Sequence, residues 1–104
     1  MSRSGRDDFV WMKAVGVSME SRFEAGIGDG DIMAVELTGF AQPGDVVVAE
    51  INGEYTVKRL KHHAHGLYLV PANDAYPIRK VQRSDTFRVV GRVRFSIHDF
   101  RKAA

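Results

Sequence analysis

Cysteine is absent from the 104 residues, so disulfides and thiolate metal sites are excluded and an oxidising compartment gains no support. No apolar run approaches the ~20 residues needed to span a bilayer. The opening stretch MSRSGRDDF is polar and lacks the apolar segment of a secretory signal. Long amphipathic helices are missing, and with them any helix-turn-helix pattern. No aromatic stacking motif takes their place, so sequence-specific DNA recognition is not expected. These absences leave a cytoplasmic-type chain without a membrane partner. Charge of one sign is scarce as well, the formal net charge being only +2.

What is present is an apolar share of 44% and a charged share of 27%, ordinary for a globular protein and enough for one core but not two. Residues 1–8 read as a flexible polar lead and residues 9–104 as a single domain. FVWMKAVG (9–16) is rich in aromatic and β-branched residues and predicts a strand ended by Gly16. SMESRFEAGI (18–27) has mixed helical character, sufficient for one or two short turns. GIGDGD (26–31) is a turn cluster, followed by a strand over 31–37 and a connecting loop over 38–45. KHHAHG (61–66) reads as a loop, LYLVP (67–71) as a strand, and residues 72–85 as largely irregular, with Pro71 and Pro77 discouraging pairing. A long strand over 85–97 closes the pattern. It places Phe87, Val89, Val93, Phe95 and Ile97 on one face, with Gly91 marking a bulge or kink. Such a strand would make a poor exposed edge, which predicts pairing between two copies of the chain. The fold class is mainly β, a curled, barrel-like sheet with short helical turns.

The sharpest local signal is DVVVAEINGEYTVKRL (45–60). Asn52-Gly53 is the dipeptide preferred in type I′ hairpins. A two-residue loop pairs Ile51 with Glu54, Ala49 with Thr56 and Val47 with Lys58. Alternation then puts Lys58 on one face with Val47, Ala49, Thr56 and Leu60, while Tyr55, Arg59 and Lys61 point the other way. Lys58 therefore points inward. A serine hydroxyl is a weak nucleophile until a base takes its proton. Lysine serves as that base only when neutral, which requires burial to depress its ordinary pKa of about 10.4. Ser18, just beyond Gly16, is a candidate nucleophile for such a base, since Ser-Lys pairs are a known variant of the serine arrangement. Spacing alone leaves open the plainer alternative of an unusual strand lysine and an unrelated turn serine.

Five blocks in register carry a resemblance: VGVSM (15–19), GIGDGDIMAVE (26–36), GDVVVAEINGEYTVKRL (44–60), LYLVPANDAYPI (67–78) and VVGRV (89–93). Together they resemble the peptidase domain of the LexA/UmuD family over roughly residues 9–98. The resemblance implies that Ser18 is the nucleophile and Lys58 its general base, with backbone amides near the serine stabilising the tetrahedral intermediate. It implies an SOS-response, self-cleaving serine peptidase that needs no cofactor or metal and forms a homodimer. Its expected partners are the RecA–single-stranded DNA filament and a Y-family DNA polymerase. Val17 stands where the family often has aspartate, and about three extra residues lengthen the loop after Met19. Only eight residues precede the first strand, without an Ala-Gly or Cys-Gly dipeptide. The chain thus looks like the processed, UmuD-like form acting as accessory subunit of a translesion polymerase. The alternative is an isolated C-terminal autoproteolytic and dimerisation domain of a LexA-like or phage repressor.

Other features have plainer readings. His62, His63 and His65 lie in a loop without an acidic neighbour and read as solvated rather than metal-binding. The GDGD stretch lacks calcium-loop spacing and reads as a structural turn. Trp11, Tyr55, Tyr68 and Phe95 read as core and strand-pair aromatics. Arg88, Arg92, Arg94, Arg101 and Lys102 could meet an acidic partner, with a solvated strand face as the simpler account.

Overall fold

The Asn52-Gly53 turn forms as its residue types dictate. Both positions take positive φ, 52° and 85°, and the strands on either side pair Ile51 with Glu54, Ala49 with Thr56 and Val47 with Lys58. The structure is a computed structural model that describes residues 9–21 and 26–100. The 1–8 lead, the extra residues after Met19 and the basic pair Arg101-Lys102 lie wholly or largely outside those residues.

Seven strands make one antiparallel sheet: β1 (Phe9–Lys13), β2 (Ile32–Leu37), β3 (Val46–Ile51), β4 (Glu54–His63), β5 (Gly66–Val70), β6 (Arg79–Lys80) and β7 (Phe87–Ile97). Their spatial order is β1-β2-β7-β3-β4-β5-β6. The protein is mainly β, and among the described residues there is no α-helix. Nor is any helix long and apolar enough to cross a membrane.

Because side chains alternate along a strand, β3 feeds two cores. Val48 joins Ala14, Met19, Ile27, Met33 and Val35 on one side. Val47, Ala49 and Ile51 join Leu60 and Leu69 on the other. Ala14, Met19 and Ile27 thus contribute to the first core directly, which ties the Ser18 segment to the sheet.

The long strand departs from expectation in two ways. It is interior, paired with β2 on one side and β3 on the other, so the edge argument for self-pairing does not hold. Its apolar residues also fail to share a face. Val90 is skipped in the register with β3 and Arg94 in the register with β2, and each extra residue rotates the rest of the strand beyond it. Phe87 and Val89 therefore pack on one core and Val90 and Val93 on the other. Phe95 and Ile97 stay 53% and 49% exposed.

The expected 61–66 loop is shorter than its sequence suggests. Lys61, His62 and His63 continue β4 opposite Tyr68, Leu67 and Gly66, with Ala64 turning the chain at φ 53°. The arginines of β7 are neutralised locally: Arg88 bonds Glu50, while Arg92 and Arg94 converge on Glu36. Their hydrogen bonds, that of Arg92 foremost, hold the Glu36 carboxyl below its ordinary pKa. Trp11 is no core residue. It is 62% exposed and meets Phe95 edge to face, with ring centroids 5.9 Å apart.

Candidate active site

β5 pairs with β4 only from Arg59 onward, so, among the described residues, 54–58 have β3 as their sole neighbour in the sheet. That stretch of edge carries Thr56 and Lys58. The Ser18 turn sits against it: Lys58 Nζ lies 3.0 Å from Ser18 Oγ and 2.7 Å from Thr56 Oγ1. Residues forty apart in the chain thus meet, on the face that the hairpin register predicted for the lysine.

The turn bearing Ser18 is fixed from three directions. Glu20 N–H donates to Val17 O at 3.1 Å, closing the turn itself. From the 26–31 cluster, Ile27 N–H donates to Met19 O, and Ala14 exchanges backbone bonds with Gly30 and Asp31. Gly16 N–H donates to Asp29 Oδ1 at 2.8 Å. From the loop after β5, Asn73 N–H donates to Ser18 O at 2.9 Å.

The GDGD stretch is thereby the structural turn its sequence suggests. Its aspartates are occupied by the protein: Asp31 Oδ2 accepts from Gly28 N–H, and Oδ1 lies 2.6 Å from His98 Nδ1. Among the described residues no group of three or more acidic or histidine side chains could hold a metal.

Desolvation is the electrostatic theme. Burial lowers the Lys58 pKa from its ordinary value. Its polar partners among the described residues are two neutral hydroxyls, with no carboxylate to restore the charged form. A neutral amine has two N–H donors and one lone pair. With Thr56 accepting one N–H, the lone pair can accept the Ser18 proton. Beside the pair opens a groove of about 460 Å³ with mainly apolar walls, among them Met12, Met33, Val48 and Val57. Such a groove suits an extended peptide whose apolar side chain lies next to the hydroxyl.

Sequence reasoning placed Thr56 on this face but gave it no role, and it assigned nothing to Asn73, Asp31 or His98. Their contacts are long-range or depend on loop conformation. The only signal was a polar residue on an otherwise apolar strand face and an asparagine directly after Pro71-Ala72.

A family model described as Peptidase S24-like matches residues 2–94. The chain belongs to the S24 peptidase-like family. Curated relatives point the same way. A LexA repressor of Paracidovorax citrulli is 42% identical over 80 residues, covering 77% of this chain and 34% of the relative. A LexA repressor of Delftia acidovorans is 38% identical over 86 residues, covering 83% and 37%. That of Alcanivorax borkumensis is 46% identical over 65 residues, covering 62% and 32%. This S24-like chain therefore spans about a third of the length of the curated relatives it matches.

Proposed function

We propose that the chain, with residues 9–104 as one domain, is the autoproteolytic serine peptidase domain of a LexA-like repressor. Ser18 is the nucleophile and Lys58 the general base. The observation that carries this reading is the 3.0 Å approach of Lys58 Nζ to Ser18 Oγ with the lysine pKa depressed by burial. Relatives named LexA repressor favour it over the UmuD-like polymerase accessory expected from the sequence. A Y-family polymerase partner falls with that expectation, while stimulation by a RecA–single-stranded DNA filament remains compatible.

In this mechanism Lys58 Nζ takes the proton as Ser18 Oγ attacks the scissile carbonyl carbon. The resulting ammonium returns the proton to the departing amine. Lys58, neutral again, then activates water to hydrolyse the acyl-serine ester. The test is cleavage in trans, with the repressor linker supplied as a separate peptide. Product should appear slowly and faster as pH rises, because each increment deprotonates more Lys58. Ser18→Ala should yield none. Absence of product from the wild-type chain even at pH 10 would refute the peptidase reading.

A homodimer belongs to the same proposal, now supported by a different feature. Trp11, Phe95 and Ile97 leave an exposed apolar strip near the β1 edge of the sheet. Light scattering at tens of micromolar should give twice the chain mass, and Phe95→Lys should halve it. A monomeric wild type would remove the dimer from the proposal.

A further inference from the structure

Asn73 grips both carbonyls that flank the serine. Its Nδ2 donates to Val17 O at 3.0 Å, and its backbone N–H donates to Ser18 O at 2.9 Å. The side-chain oxygen is itself held, accepting from Ala75 N–H at 3.0 Å. Tyr76 N–H closes the same turn on Asn73 O at 3.0 Å. The carboxamide is therefore fixed at both ends, and its flipped orientation would lose both side-chain bonds.

In a trans peptide unit the N–H points opposite to the C=O. With the Val17 and Ser18 carbonyls turned toward Asn73, the N–H groups of Ser18 and Met19 are turned away from the 72–76 loop. Neither has an acceptor among the described residues. Two backbone donors beside a nucleophile, with no acceptor among the described residues, are what a developing oxyanion requires.

We infer that Asn73 is the positioning residue of this site. It sets the rotation of the two peptide units around Ser18, so that their N–H groups face the scissile carbonyl while Oγ stays against Lys58. This role rests on the peptidase reading but has a readout of its own.

The informative variant is N73D. It keeps the acceptor for Ala75 N–H and every backbone contact but, ionised, has no donor for Val17 O. N73A removes both side-chain bonds. Cleavage in trans should be followed as a function of pH for all three proteins. A carboxylate near the site can displace the profile along the pH axis, whereas loss of positioning lowers its alkaline plateau. The expected result is a plateau about 10–100-fold lower in N73D and in N73A, with little change in KM. In parallel, 15N relaxation should show residues 17–19 becoming mobile in N73D while the rest of the sheet is unchanged.

A wild-type plateau in N73D, or unchanged order at 17–19, overturns the inference. If the wild-type chain cleaves nothing, relaxation alone decides it: mobility gained at 17–19 supports the positioning role and leaves only the peptidase reading refuted.

Discussion

Lys58→Ala should reduce cleavage in trans by about 10³-fold or more, the usual scale for losing one member of a nucleophile–base pair. The fold should survive, since Val47, Ala49 and Leu60 around it keep their packing. Lys58→Arg should be equally inactive despite retaining the charge, because a guanidinium does not deprotonate in this range. A Lys58→Ala protein that cleaved at the wild-type rate would put the base elsewhere. Stability supplies an independent check. Burial depresses the lysine pKa in the folded protein, so between the folded and unfolded values the unfolded chain binds the extra proton. Unfolding free energy should therefore rise with pH across that window, and the slope should vanish in Lys58→Ala. Denaturant titrations between pH 7 and 10 would measure it. A slope that persists in the variant would assign the effect to another group.

A large effect on stability is expected at Gly91. A Cβ there would stand 2.5 Å from Glu36 O and 2.6 Å from Val35 Cγ1. The first is backbone of β2, so the two strands would have to part rather than a side chain swing aside. Gly91→Ala should cost about 3 kcal/mol and lower Tm by roughly 10–20 °C. Gly39→Ala is the control, since a methyl group there would meet nothing within 4 Å and the φ of Gly39 is not in the left-handed region. Comparable thermal melts for the two variants would show that β2 and β7 adjust without cost.

The mainly β class and the register at Lys58 were legible in the sequence; the course of the long strand β7 was not. Asn52-Gly53 fixes a turn type, the turn fixes a register, and the register fixes the face of Lys58; every step is local. The turn at Ala64 left no such trace, because alanine carries no preference for the positive φ it adopts. The rotation of β7 at Val90 and Arg94 was hidden for another reason. Gly91 announced a disturbance, but its form depends on β2 and β3, strands about forty or more residues away in sequence. Asn73 was legible as a turn former and illegible as a clamp, since its grip on Val17 and Ser18 spans more than fifty residues.

The central place of β7 bears on how the site is held together. β2 and β3 never pair with each other; both wait for β7. The sheet is two halves, β1-β2 and β3 through β6, spliced by a strand synthesised after all the others. Ser18 follows the first strand of one half and Lys58 belongs to the other. Until β7 pairs with both, no continuous sheet joins the halves, and the bonds of Asn73 to Val17 O and Ser18 O tie the Ser18 turn to the half that carries Lys58. Strand order thus makes a continuous sheet beneath Ser18 and Lys58 depend on β7, the last of the described strands in the chain.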